Sequence, residues 1–133
     1  MDQRLRDVVR GRAKRRCEYC RLSEAHSILP FEIEHIIAEK HGGKSVEENL
    51  AWACRYCNVH KGSDIAGIDP VSKGIVPLFH PRRHAWHEHF RWADSVLIGL
   101  TPEARATIQV LRMNHPEMVA LRLSLLAEGV SFE

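Results

Sequence analysis

No apolar run in this 133-residue chain approaches the roughly 20 residues needed to cross a bilayer, so a membrane role is not expected. The N-terminus, MDQRLRDVVRGRAKRR, lacks the apolar segment of a secretory signal. Both absences make the cytoplasm the expected compartment. There are no internal repeats and no low-complexity segments. A length of 133 residues suits one domain over 1–133, with a core of modest size. Cysteine is sparse: there are four, arranged as two pairs, Cys17/Cys20 and Cys54/Cys57. In a reducing compartment such pairs are expected to be metal ligands rather than disulfides.

The net charge is small, +2, but its distribution is uneven. Residues 1–21 hold eight Arg or Lys against Asp2, Asp7 and Glu18, a balance of +5, so the remainder sums to −3. A basic segment of this kind, with Arg12, Lys14, Arg15 and Arg16 beside the first cysteine pair, suits a polyanionic partner. The plainer reading is a solvated helix face.

The pattern predicts a helix from residue 2 to about 15, capped by Asp2 and with Leu5, Val8, Val9 and Ala13 near one face. Cys17–Cys20 reads as a tight turn. Phe31–Glu34 alternates as a half-buried strand, and Leu50–Ala53 is a plausible antiparallel partner. Between them lie a Gly42-Gly43 turn and, at Ser45–Glu48, a resemblance to a capping box. A helix is expected from Asn58, with Asn58 as its cap. Residues 62–81 read as a loop with a strand near Ile75–Phe79. A hairpin is expected over His89–Leu100, a helix from Thr101 to near Asn114, and a last helix from Pro116 to Glu128, stopped by Gly129. The Met118, Leu121, Leu125 and Leu126 stripe of that helix reads as core, with a dimer face as the alternative.

Two Cys-x-x-Cys pairs can place four thiolates in a tetrahedron, the arrangement zinc prefers in a closed structural site. Four thiolates leave no open position for water, so the expected contribution is to stability, not catalysis. A redox pair would need one such motif in a βαβ setting, which is missing. Between the pairs stand Glu34-His35, Asn49, Asn58 and His60. A carboxylate and amide oxygens suit Mg2+ or Mn2+. A neutral imidazole beside them can take a proton from water. Adjacent residues on a regular strand point to opposite faces, so either the strand ends at Glu34 or metal and attacking water lie on different sides of the scissile bond. The histidines at 80, 84, 87 and 89 read as a polar surface segment.

The order Cys-x-x-Cys, Glu-His-Ile, Gly-Gly, Asn-Leu, Cys-x-x-Cys-Asn-x-His-Lys-Gly resembles the HNH endonuclease family over about residues 15–64. The downstream stretches DIAGIDP, VPLFHPR, HFRW and GLTPEARATIQVLRMN are similar to a group of small stand-alone bacterial HNH proteins. The resemblance implies an α+β fold with a ββα-metal (His-Me finger) core and a four-Cys zinc site. An N-terminal basic helix and a C-terminal extension of about 65–133, a hairpin plus two helices, would flank that core. It implies His35 as general base, Glu34 as a ligand of the catalytic metal and Asn49 as the residue that fixes the loop. Asn58, by position, is the second ligand, with His60 two residues on as the alternative. Lys61 would contact a phosphate, and Cys17, Cys20, Cys54 and Cys57 would bind zinc. The chain departs from the common pattern in having Glu34 for Asp, Ala38 for Pro and Asn58 for His.

The expected function is therefore a divalent-metal-dependent endonuclease acting on DNA, with structural Zn2+ and catalytic Mg2+ or Mn2+. The rival expectation is a non-catalytic zinc-knuckle module that binds nucleic acid, and a third is a thiol redox protein.

Overall fold

Asp2 opens the first helix: its carboxylate accepts from Leu5 N at 2.8 Å and caps α1 (Gln3–Arg12). The structure, a computed structural model, describes residues 2–133. α1 ends earlier than its pattern suggests, because Lys14 and Arg15 take left-handed backbone angles (φ 54° and 57°). Val9 and Ala13 are buried, while Val8 is exposed.

β1 (Glu32–His35) pairs antiparallel with β2 (Leu50–Ala53), with Glu34 opposite Ala51 and His35 opposite Leu50. Every residue of β2 is buried. Trp52 packs at a tilt against the ring of Phe31, and the guanidinium of Arg6 lies over its ring. α2 (Arg55–Lys61) follows directly. Its cap is Cys54, whose Sγ accepts from Cys57 N, so Asn58 sits in the helix interior rather than at its start. Helix initiation is moved upstream because the knuckle itself supplies the capping atom. The capping box expected at Ser45–Glu48 does not form either: a short 3-10 turn, Glu47–Asn49, starts after an uncapped Val46, and Ser45 is used elsewhere.

These elements form the ββα core expected for the first half of the chain. They belong to one compact unit, residues up to Ile65 together with His80–Arg83. The second unit comprises Ala66–Phe79 and His84–Glu133.

In that second unit β3 (Ala66–Ile68) pairs with β4 (Ile75–Pro77), and β5 (Phe90–Ala93) with β6 (Val96–Gly99), both antiparallel. β3 and a single helical turn, α3 (Trp86–His89), lie in stretches with no readable period. α4 (Pro102–Val110) is capped by Thr101, as its Thr-Pro start predicts. It stops before Asn114 because Arg112 adopts φ 50°. α5 (Pro116–Ala127) ends at Gly129, φ 88°. On α5, Leu125 is buried and Met118, Leu121 and Leu126 are half-buried.

The downstream motifs find structural explanations. Asp69 accepts from Val71 N and Ser72 N and forms a two-point pair with Arg105 at 2.8 and 3.0 Å. A Cβ on Gly67 would lie 2.7 Å from Val110, so only glycine lets α4 approach β3 this closely. Among the described residues, no helix is long and apolar enough to cross a membrane.

Candidate functional site

The β1–β2 pairing brings the two knuckles together. The Sγ atoms of Cys17, Cys20, Cys54 and Cys57 lie within 4.8 Å of one another and all four residues are buried. Each pair turns on the same device: Cys17 Sγ accepts from Cys20 N, and Cys54 Sγ from Cys57 N. Burial would raise the Cys17 thiol, but donation from the other three thiols drives it well below the usual range. Four convergent sulfurs, closed to solvent and with one already favouring the thiolate, fit a structural zinc ion. Among the described residues this is the sole group of three or more His, Cys, Asp or Glu able to hold a metal, so the histidines at 80, 84, 87 and 89 form no second cluster. His84 and His89 instead pack around Phe79.

β1 runs through His35 without ending at Glu34, so the two neighbours diverge. Glu34 is buried at 2% exposure. Its Oε1 is ion-paired with Lys61 Nζ, and its Oε2 accepts from Tyr19 Oη at 2.8 Å. Burial pushes the Glu34 carboxyl upward against the opposing pull of Lys61 and Tyr19. The Tyr19 phenol is raised by burial and by the Glu34 charge, which keeps it a donor. Lys61, expected at a phosphate, is itself 1% exposed and also donates to Ile36 O at 2.9 Å. A side chain so enclosed cannot meet a nucleic-acid backbone. It braces α2 against the end of β1.

His35 stays accessible. Its Nε2 is 2.8 Å from Ser45 Oγ and 3.6 Å from Glu39 Oε1. Asn49 holds the intervening loop: its Oδ1 accepts from Ile37 N, and its Nδ2 donates to Ile37 O and Lys44 O, each at 2.9 Å. Gly43 makes this closure possible, since a Cβ there would lie 1.7 Å from Ile37 O. Asn58 donates through Nδ2 to Glu32, and its Oδ1 is the atom suited to a metal ion. His60 gives Nδ1 to Tyr56 O at 2.8 Å and packs on the Tyr56 ring at 4.1 Å.

A cleft of about 280 Å³ collects Glu34, His35, Glu39, Asn58 and Ser63. His60 is absent from its walls. The donor set, a carboxylate and an amide oxygen beside an imidazole, suits a hard divalent cation in kind. The Lys61 ammonium already occupies the cation position on Glu34.

Glu39, Tyr19 and Glu32 were not singled out as site residues by the sequence, and Ser45 was read only as part of a capping box. Glu39, four residues after His35, and Tyr19, inside the first knuckle, carried the only available signals. Of the basic residues, Lys14 and Arg15 are exposed and Arg16 half-buried. Arg12 is committed to the protein, its Nη2 donating to Glu47 O at 2.6 Å and to Leu50 O.

Fold and site together define a ββα finger stapled by two cysteine knuckles. Residues 17–64 match the family model described as HNH endonuclease. Comparison with curated proteins and with solved structures returns no match.

Proposed function

We propose that the protein is a divalent-metal-dependent endonuclease that hydrolyses DNA phosphodiester bonds. The observation that carries this reading is the shared cleft of Glu34, His35 and Asn58 within the HNH-matching segment. His35 is the general base. In the tautomer whose Nε2–H donates to Ser45, Nδ1 holds the lone pair that takes a proton from water. Glu39 Oε1 lies 3.6 Å from the same Nε2. Asn49 fixes the loop, so His35 pays little reorganisation on reaction. Glu34 and Asn58 are the residues that would hold the catalytic ion, and a divalent cation there supplies charge neutralisation for the phosphate oxygens. Because Lys61 sits on Glu34, ion binding is an exchange of one cation for another. Lys14, Arg15 and Arg16 hold the nucleic-acid backbone.

One observation favours the second reading, a non-catalytic zinc-knuckle module: Glu34 is sealed by Lys61 and Tyr19. Conversion of supercoiled plasmid to nicked circles separates the two. The nuclease nicks with added Mg2+ or Mn2+ and not without; a module binds plasmid and leaves it supercoiled under every metal condition.

A further inference from the structure

The HNH-matching segment ends at residue 64, but the HNH unit does not. The chain returns to it as His80–Arg83. This short return is tightly made. Arg82 N donates to His80 Nδ1 at 3.2 Å and Arg83 N to His80 O at 3.1 Å, folding the segment into a turn. Arg82 Nη2 is ion-paired with Oε1 of Glu18, inside the first knuckle. The other oxygen of Glu18 accepts from Trp52 N at 2.7 Å, so the guanidinium is anchored through one carboxylate to β2.

The turn delivers two arginines beside a third. Arg12, Arg82 and Arg83 line a cleft of about 520 Å³ with Glu47 and Glu48. Arg12 is held there by Glu47 O and Leu50 O. Leu50 is the register partner of His35, and Ser45, two residues before Glu47, touches the His35 ring. The cleft is thus built on the same loop that positions the expected base.

We propose that Arg12, Arg82 and Arg83 form a binding surface for the phosphodiester backbone of a nucleic acid. The proposal rests on the nucleic-acid partner argued above and extends it to residues outside the HNH-matching segment. Three guanidiniums and two carboxylates line the cleft, and Glu18 already pairs with Arg82, so an anion is met by Arg12, which is held by carbonyl oxygens, and by the exposed Arg83. Arg12 and Arg82 are close enough to repel: burial and the Arg12 charge together bring the Arg82 guanidinium down to about 10. A phosphate between them removes that repulsion. Both side chains are fixed by protein contacts before any ligand arrives, which lowers the ordering cost of binding. A repeating anion suits the surface better than a single one, because Lys14 and Arg15, both exposed, and half-buried Arg16 follow Arg12 closely in the chain.

The test uses the full-length, zinc-loaded protein in a His35→Ala background without added Mg2+, so that binding is read without cleavage. Affinity for a short DNA duplex is measured by fluorescence anisotropy across a salt series. Arg83 is exposed, so Arg83→Ala should fold normally. It is expected to weaken binding several-fold and to reduce the slope of log K against log salt by ~0.9, one phosphate contact. Replacing Glu47→Gln and Glu48→Gln together should tighten binding, and Arg91→Ala, an exposed arginine on β5, should change neither quantity. Unchanged affinity and slope in both Arg83→Ala and the double glutamine variant would overturn the proposal. If wild-type protein shows the predicted binding but never nicks DNA, the nuclease reading fails and this surface stands. If nicking depends on His35 but neither Arg83→Ala nor the double glutamine variant changes binding, this surface fails alone.

Discussion

Lys61 Nζ on α2 and Glu34 Oε1 on β1 form an ion pair in which the side chains are 1% and 2% exposed. Two unlike charges withdrawn this far from water are each costly alone and tolerable only together. Lys61→Met is therefore expected to cost ~3–5 kcal/mol, the usual penalty for leaving one partner of a buried pair. Adding Glu34→Gln should restore most of that loss, because the stranded charge is then gone. Urea unfolding of the zinc-loaded variants checks both statements; a single variant within ~0.5 kcal/mol of wild type would show that the pair does not hold the strand to the helix.

The four cysteines make a different prediction. The protein should carry about one zinc ion per chain, as a closed four-thiolate site requires. Cys57→Ser should lose it, and a strong chelator should unfold the wild-type ββα core, since metal binding and folding share one free energy here. Elemental analysis alongside circular dichroism reads both. A core that keeps its fold after complete zinc removal would contradict the site.

Acid should find the second unit through Asp69. The paired Arg105 guanidinium holds the Asp69 carboxyl well below the usual carboxylate range, helped by Ser72 and the amides of residues 71 and 72. A carboxyl depressed on folding contributes stability that is complete above its unfolded pKa of about 3.9 and is lost as pH falls below it. Thermal unfolding followed between neutral and strongly acidic pH should show this loss in wild type. Asp69→Asn should be less stable at neutral pH and lose less in acid. A variant with the wild-type acid sensitivity would exclude Asp69 as a source.

Much of this architecture was legible in the residues, and the reasons differ by element. The cysteine pairs announced their cluster because tetrahedral thiolate chemistry dictates local spacing, and the β1–β2 alternation supplied the route that joins them. Gly43 was legible as a turn residue, since a tight return needs a position with no Cβ, while the loop-fixing role of Asn49 came only through the family resemblance. What stayed hidden were choices between two uses of one side chain. Lys61 looks like a phosphate contact in any basic sequence. Whether it faces solvent or a buried acceptor depends on where α2 lands, and no local pattern states that. Ser45 read as a helix cap because its neighbours fit a capping box, yet its hydroxyl meets His35 ten residues away in sequence. Arg82 and Arg83 were invisible for the same reason: their partners, Glu18 and the cleft around Arg12, lie far upstream.

The central claim is that His35 activates water in a metal-dependent nuclease. The most direct measurement compares wild type and His35→Ala in plasmid nicking with Mg2+ or Mn2+, with zinc content and duplex affinity measured on the same preparations. The account predicts that the variant keeps its zinc, binds DNA as wild type does, and loses nicking by ~100-fold or more, the scale of a general base. Equal nicking by the two proteins would remove His35 from the chemistry and contradict the account.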